Sequence, residues 1–146
     1  MQRVIAVGVV AMLLLGCAQE DPFEVLADGI CTAAQANSVD KHISGQIDAM
    51  AQKDWELAYS FASDNFQSNV SIDDFIQIIK VQYPMLIQNK EYQFNDCTVT
   101  DSTITQVVNV TSSDQVFSLA YILTVNDSTL GIESAVISKV ASKVAV

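Results

Sequence analysis

The chain has 146 residues with 17 acidic and seven basic side chains, which give a formal net charge of −10. Its only arginine is Arg3, so the rest of the chain lacks the side chain that best recognises phosphate and carboxylate groups in a bidentate manner. This composition argues against nucleic-acid binding, which needs a cationic stripe, while the length predicts one domain with a substantial core.

The first predicted element is a short apolar run at residues 4–15, directly after the positive charge of Arg3. The run is too short for a spanning helix, which needs about 20 residues, and therefore predicts an export signal. It ends in Leu14-Leu15-Gly16-Cys17, which resembles a bacterial lipobox. The resemblance implies cleavage between Gly16 and Cys17 and a diacylglycerol group on the thiol of Cys17. The alternative is a plain secretory signal followed by a coincidental cysteine.

Lipid on Cys17 would anchor the exported chain to a bacterial cell membrane or an outer membrane. A diacylglyceryl group supplies two acyl chains of the palmitate type, and about two chains are needed for stable attachment. The sequence then divides into a signal peptide at residues 1–16, a lipidated tether at 17–36 and a folded domain at 37–146. The tether contains the acidic, proline-interrupted stretch 19–22, which favours an extended chain.

Cys31 and Cys97 are the two cysteines that lipidation of Cys17 would leave. Two thiols in an exported protein form a natural disulfide pair. Closing a loop of this length would stabilise the fold by about 4 kcal/mol in the chain-entropy description. Two buried free thiols are the alternative, since unpaired cysteines are often found in protein cores.

The first predicted helix of the body begins near Asn37, because Asn37 and Asp40 have the spacing of a capping box. Apolar side chains then recur every three or four residues and predict one buried helical face. They are Val39, Ile43, Ile47 and Met50.

Two further helices are predicted before the middle of the chain. Asp54 is expected to cap a helix over residues 55–62, and Ser71 with Asp74 marks the start of the third helix. Pro84 ends the third helix, since the residue before a proline is pushed out of the helical region. Its core face is formed by Phe75, Ile76, Ile79 and Tyr83.

After Pro84 the hydrophobic period changes from helical to alternating. In residues 116–125 the large side chains occupy every second position, which predicts a strand with one buried face. They are Phe117, Leu119, Tyr121, Leu123 and Val125. Similar faces are formed by Ile104, Val108 and Val110 in the strand before it and by Ile132, Val136 and Val140 in the strand after it.

A weaker strand covers residues 92–100, and turn-forming clusters at 112–114 and 126–128 predict antiparallel hairpins. Helices first and strands second indicate an α+β fold. We therefore expect three N-terminal helices packed on a curved antiparallel sheet of about four strands, with a concavity between the two layers.

Residues 43–50 and 54–63 resemble the start of nuclear transport factor 2-like domains, in which a first helix breaks at an aspartate and a second ends near Phe-Ala-Ser. The stretch 75–79 and Tyr83-Pro84 are similar to one branch of that superfamily, which consists of small exported bacterial proteins of unknown function. The resemblance covers residues 38–139 and implies a cystatin-like cone of helices on a bent sheet, with a pocket. Leu130-Gly131-Ile132 departs from the Trp-x-Ile of many relatives.

Candidate catalytic chemistry is sparse in this sequence. The only histidine, His42, has Ser38 and Gln46 one turn away instead of an orienting carboxylate, so we interpret it as a surface residue. One histidine and two separated cysteines do not form a metal site. No cofactor and no metal ion are therefore expected.

An isomerase-like site would combine a carboxylate base with a tyrosine donor inside an apolar pocket. Candidate pocket residues are Trp55, Tyr59, Tyr83 and Tyr121, and candidate carboxylates are Asp96 and Asp101. The tyrosines among them lie on apolar stripes, which favours a packed core over a catalytic pocket. The catalytic residues of ketosteroid isomerases have no counterparts that we can match here.

Three functions follow as hypotheses. The first is a non-enzymatic envelope lipoprotein whose domain binds a small apolar ligand or a partner protein. The second is an enzyme of isomerase or dehydratase type, as the superfamily resemblance allows. The third is a structural envelope protein with a filled core and no ligand. An open pocket with a buried carboxylate beside a tyrosine would favour the enzyme, and a pocket lined only by apolar groups would favour binding. An interior without a cavity would favour the structural role.

Overall fold

Helices occupy the first half of the chain and long strands the second half. The computed structural model describes Gly16 and residues 19–142, so the predicted signal peptide and Cys17 lie outside the described residues. Within these residues the helices are α1 (Ala33–Ala51), α2 (Trp55–Ser60), α3 (Asp64–Asn69), α4 (Ile72–Gln82) and α5 (Pro84–Ile87). The strands are β1 (Gly29–Ile30), β2 (Glu91–Thr100), β3 (Thr103–Ser112), β4 (Gln115–Asn126) and β5 (Thr129–Ser142).

The strands form one open antiparallel sheet in the order β1-β2-β3-β4-β5. The predicted α+β class and the order of helices before strands are confirmed. The described residues contain five helices and five strands, whereas three helices and about four strands were expected. The additional elements α3, α5 and β1 are short, with six, four and two residues, and short elements carry little periodicity.

The first helix begins earlier than its apparent cap at Asn37 predicts. Thr32 and Gln35 form the capping box of α1: Thr32 Oγ1 accepts from the Gln35 N–H at 3.2 Å, and Gln35 Oε1 accepts from the Thr32 N–H at 2.9 Å. The predicted start at Asn37 is therefore wrong. The predicted apolar face is confirmed, since Val39, Ile43, Ile47 and Met50 are all buried.

The predicted starts of the next two expected helices are confirmed. Asp54 caps α2 by accepting from the Leu57 N–H, and Ser71 caps α4 by accepting from the Asp74 N–H. Pro84 ends the α4 stretch and also opens the short helix α5, where its missing N–H costs no hydrogen bond.

The hairpin predictions are also confirmed. Ser113, Asp127 and Ser128 adopt positive φ angles of 53°, 46° and 64° in the two turns. The alternating face of β4 points into the core, where Leu119, Tyr121 and Leu123 are fully buried.

The last strand departs from simple alternation. Ile132 pairs with Leu123 and Ser134 pairs with Ile122, so Glu133 is an extra residue in a β-bulge. The bulge turns Val136 to the outer face, where it is 55% exposed. A second irregularity makes Ser138 an extra residue between Ile137 and Lys139, so Val140 returns to the face of Ile132, opposite Phe117, and is 49% exposed there. The prediction that Val136 shares the face of Ile132 is wrong, whereas Val140 shares that face without being buried.

The segment before α1 packs on the domain. Cys31 and Cys97 form a disulfide with a Cα–Cα distance of 5.4 Å, which joins this segment to β2 and agrees with the expected pair. Gln35 Nε2 donates to the carbonyls of Pro22 at 3.0 Å and Val25 at 3.1 Å. In the described part of the chain, every helix is too short or too polar to span a bilayer.

Candidate functional site

A cavity of about 140 Å³ lies between α4, the segment 61–63 and the beginning of β5, and it is partly open to solvent. Most of its lining is apolar. The apolar lining residues are Ala62, Phe66, Phe75, Ile78, Ile79, Leu86, Ile132 and Ala135, and the polar ones are Gln46, Tyr83, Tyr121, Glu133 and Ser134. This combination of an apolar wall and a few polar groups is typical of a small-molecule site.

The bulge in β5 determines which side chains of the strand meet this cavity. Because Glu133 is the extra residue, Ala135 lies opposite Tyr121 on the inner face, where simple alternation would have placed Ser134. Ala135 therefore lines the cavity, whereas Val136 pairs with Ala120 on the outer face.

The segment 61–63 forms one rim of the cavity by pairing with the start of β5. The Ser63 N–H donates to the Ile132 carbonyl and the Ile132 N–H donates to the Phe61 carbonyl, both at 3.0 Å. This approach is close at Gly131, where an added Cβ would lie 2.6 Å from Ser63 Cα. Only glycine fits here, which explains why Gly131 precedes Ile132.

Tyr83 joins the end of α4 to β5 across the cavity. Its hydroxyl donates to the Ala135 carbonyl at 2.6 Å. This hydrogen bond satisfies the phenol and holds the two elements together at the cavity wall.

Tyr121 is the other tyrosine in the lining, and its environment is different. It is fully buried, and its hydroxyl is one of three buried side-chain oxygens in the described residues that lack a hydrogen-bond partner. Burial, with smaller contributions from Tyr83 and Tyr92, raises the pKa of Tyr121 far above its usual range, so the phenol stays protonated. A buried hydroxyl without a partner costs about 1–3 kcal/mol.

Gln106 lies directly opposite Tyr121 in the β3–β4 ladder and is also buried. Its amide nitrogen donates to the carbonyls of Asn95 at 3.1 Å and Val107 at 2.9 Å, which supports the bulge of β2. Its Oε1 is another of the three unpartnered oxygens in the described part of the chain. Two neighbouring strands thus each place an unsatisfied oxygen in the core.

Among the described residues, Glu133 is the one acidic side chain in the lining. Its carboxylate accepts from Asn65 Nδ2 at 3.0 Å and from Thr124 Oγ1 at 3.2 Å. Partial burial raises the pKa of Glu133, but hydrogen bonds from Asn65, Ser63 and Thr124 outweigh it and hold the pKa below its usual value. The carboxylate is therefore ionised at neutral pH.

Two of the four predicted pocket residues, Tyr83 and Tyr121, line the cavity, whereas Trp55 and Tyr59 do not. The Tyr59 hydroxyl donates to the Val70 carbonyl at 2.6 Å, which ties α2 to the end of α3. The Trp55 ring has the Lys80 ammonium 5.7 Å from its centroid. Both are packing residues of the helical layer.

The remaining candidates are also outside the cavity lining. Asp96 and Asp101 are exposed on β2 and in the turn after it. His42 is half-buried, packs edge-on against the Phe61 ring and donates through Nε2 to the Phe61 carbonyl at 2.9 Å. It is thus not the surface residue that we expected. The described residues contain no group of three or more histidine, cysteine or acidic side chains suited to a metal ion.

Sequence reasoning missed Glu133, Gln46 and Ala135. Glu133 and Ala135 enter the lining because of the bulge, and a lone glutamate in an alternating strand gives no signal of this. Gln46 on α1 was visible as a polar side chain among apolar neighbours, and the structure buries it with Nε2 donating to the Ala58 carbonyl at 3.3 Å.

Comparison with known proteins gives a family assignment without an activity. No curated protein and no solved structure is significantly similar to the chain. Residues 32–144 match the family Domain of unknown function (DUF4864), which covers α1 to β5 and therefore the whole cavity lining. The chain belongs to the DUF4864 family.

Proposed function

We propose that this protein is a lipid-anchored module of the bacterial cell envelope whose domain binds a small apolar molecule in the cavity beside β5. The cavity carries the binding part of this proposal, because its wall is mostly apolar, it is partly open to solvent and its lining includes Tyr121, whose buried hydroxyl has no partner among the described residues. Burial of a ligand against this wall would supply the driving force, and the polar groups would orient it.

Native mass spectrometry of protein extracted from its cells tests the binding proposal. We expect a fraction of the protein to carry a small non-covalent ligand. Ala135→Leu should remove the ligand because Ala135 lines the cavity, whereas Val136→Leu should retain it because Val136 is the next residue and faces outward. Repeated extraction without any bound molecule would contradict the proposal, and a bound protein instead would indicate a partner-binding module.

An isomerase or dehydratase is the second candidate, because Glu133 shares the cavity with Tyr83 and Tyr121. The lowered pKa of Glu133 makes it a weak base, whereas carboxyl groups in proton-transfer enzymes are usually tuned towards neutral pH. The Tyr83 hydroxyl is already engaged by the Ala135 carbonyl. These two observations favour binding over catalysis. The third candidate, a structural protein with a filled core, is disfavoured by the cavity itself.

We also infer a nuclear transport factor 2-like domain, as the sequence resemblance implies. The inference is supported by helices that precede an antiparallel sheet and by a cavity between helix α4 and strand β5. A solved structure of this chain that superposes on members of that superfamily over both layers would support it. Agreement over the sheet alone would contradict it.

The lipid anchor rests on the sequence Leu14-Leu15-Gly16-Cys17. Cys17→Ser should abolish processing of the precursor and release the protein from membranes, because the thiol is the expected site of acylation. Membrane fractionation and the mass of the mature N-terminus measure both effects. Cys31→Ser is the matched control, since it changes another cysteine and should leave the lipid in place. Normal processing and sedimentation of the Cys17→Ser protein would refute the anchor.

Contacts of the segment after Cys17 define which end of the domain would face the membrane. The hydroxyl of Ser128, in the β4–β5 turn, donates to the Asp21 carboxylate. The N–H of Asp101, in the β2–β3 turn, donates to the Asp28 carboxylate at 2.9 Å. Both turns lie at the same end of the antiparallel sheet. Cys17 precedes Asp21 by four residues, which span at most about 14 Å. The effective tether is then much shorter than residues 17–36, and this end of the sheet would lie against the bilayer.

Single labels at the two ends of the sheet test this orientation. A fluorophore on Ser102→Cys, in the β2–β3 turn, should be quenched by lipid-headgroup quenchers in vesicles. The same fluorophore on Ser113→Cys, in the β3–β4 turn at the opposite end, should not. The two positions form a matched pair because both serines are exposed and adopt similar positive φ angles of 60° and 53°. Equal quenching would mean that the domain has no preferred orientation.

A further inference from the structure

We infer that the cavity beside β5 selects ligands of about seven heavy atoms that carry one neutral hydrogen-bond acceptor, which Tyr121 recognises. This inference rests on the proposed binding function and specifies its ligand class. It depends on three features of the lining: its size, the unpaired hydroxyl of Tyr121 and the ionised carboxylate of Glu133.

Size comes first. The cavity has a volume of about 140 Å³. An engineered apolar cavity of about 150 Å³ accommodates benzene, so a single six-membered ring with one substituent is the scale of ligand that fits. Longer acyl chains and fused rings would have to protrude through the open side.

The hydroxyl of Tyr121 sets the polar requirement. Buried polar groups almost always have a hydrogen-bond partner, and each exception calls for an explanation. Tyr121 is fully buried, lines the cavity and has no partner within the described chain, whereas Tyr83 in the same lining donates to Ala135. A protonated phenol is a good donor. A carbonyl or ether oxygen on the ligand would therefore satisfy Tyr121.

Glu133 sets the charge. It belongs to the lining, and its carboxylate is held in the ionised state at the edge of the cavity by Asn65, Ser63 and Thr124. The described lining contains no lysine or arginine, and the whole chain has a net charge of −10. An anionic ligand would be repelled and would lose its hydration without a compensating cation. The acceptor group is therefore neutral.

Two ligands of the same shape test the inference. Cyclohexanone carries an acceptor oxygen at the position where methylenecyclohexane carries a CH₂ group, and the two molecules are otherwise the same. Dissociation constants of both are measured by NMR chemical-shift titration of the wild type, Tyr121→Phe and Tyr83→Phe proteins. For Tyr121→Phe we expect cyclohexanone to bind about 5- to 10-fold more weakly, the effect of one lost hydrogen bond, and methylenecyclohexane to bind within about twofold of wild type. Tyr83→Phe should change the ratio of the two constants by less than about twofold.

The outcomes separate the inference from the proposed function. If neither probe binds the wild type, the binding function itself is refuted. If both probes bind but Tyr121→Phe leaves their ratio unchanged, the cavity binds ligands and the role of Tyr121 is refuted. Intermolecular NOEs from cyclohexanone to Ile79 and Ala135 in the wild type provide a readout that needs no variant. NOEs confined to residues outside the lining would also overturn the inference.

Discussion

The two sides of the helix–sheet interface are packed differently. Under α1 the core is filled: Val39, Ile43 and Ile47 are fully buried, and Tyr92 of β2 donates to the Asp48 carboxylate of α1 at 2.8 Å. We call this the filled side. Between α4 and β5, which we call the pocket side, a cavity of about 140 Å³ remains, and the Tyr121 hydroxyl has no partner among the residues that the structure describes.

The difference indicates that the two sides of this domain contribute differently to stability and to binding. A cavity lowers stability because the residues around it lose packing contacts. The filled side and the disulfide at the β1–β2 edge are therefore expected to supply most of the stability, and the pocket side is expected to supply binding. Mutations on the two sides should have different consequences.

The largest expected effect is loss of the disulfide. The bond closes a separation of 66 residues. Replacing both Cys31 and Cys97 by serine should lower the free energy of unfolding by about 4 kcal/mol in the chain-entropy description. Urea denaturation of the oxidised wild type and the double variant measures this difference. If both proteins unfold at the same urea concentration, the disulfide does not stabilise the fold. The expectation that the filled side and the disulfide together supply most of the stability would then be contradicted for the disulfide.

The next effect compares two isoleucines. Ile43→Ala on the filled side should cost about 3 kcal/mol, because Ile43 is fully buried and its removal leaves a void. Ile78→Ala in the cavity wall should cost about 1 kcal/mol or less, since Ile78 is partly exposed and already faces free space. Denaturant titration gives both values. Equal costs would show that the two sides are packed alike.

The filled side could be predicted from the sequence, because regular spacing determines it. Val39, Ile43, Ile47 and Met50 follow the helical period without interruption, and the alternating face of β4 is equally regular. The start of α1 was predicted at Asn37, whereas Thr32 and Gln35 form its capping box. The contacts of Gln35 with Pro22 and Val25 favour the earlier cap, and they are not visible in local sequence.

The pocket side could be predicted only in part. A concavity and two of its tyrosines were expected, and Tyr83 and Tyr121 do line the cavity. The bulge at Glu133 depends on pairing between β4 and β5, so alternation along β5 alone gave the wrong face for Val136. The close approach of Ser63 to Gly131 is likewise a contact between distant parts of the chain.

The two tyrosines of the lining give the third prediction. Tyr83→Phe should lower the free energy of unfolding by about 1 kcal/mol, because it removes the hydrogen bond to the Ala135 carbonyl. Tyr121→Phe should leave it unchanged or raise it slightly, since it removes a buried hydroxyl for which the described part of the chain supplies no partner. Thermal unfolding of both variants without ligand measures the effects. A loss of stability in Tyr121→Phe equal to that in Tyr83→Phe would mean that Tyr121 has a partner within the chain.

The smallest expected effect concerns pH and His42 on the filled side. Burial lowers the pKa of His42 from its ordinary value of 6.5, and the hydrogen bond to the Phe61 carbonyl only partly opposes this. Below pH 6.5 the unfolded chain therefore binds more protons than the folded one, so the free energy of unfolding should fall as the pH is lowered, by at most about 1.4 kcal/mol per pH unit for a single proton. The stability that His42 contributes is complete above this pH.

A matched variant separates His42 from the carboxylates. His42→Gln keeps an amide donor for the Phe61 carbonyl but does not titrate, so its stability should not change between pH 7 and the onset of carboxylate protonation. Asp21 and Glu133 have lowered pKa values and lose their contributions only at more acidic pH, and Asp40, whose pKa is raised by burial, changes in the opposite direction. Because His42 is the only histidine, any slope near pH 6 that persists in His42→Gln would have to come from a carboxyl group. A slope in His42→Gln equal to that of the wild type would show that His42 contributes nothing to the pH dependence.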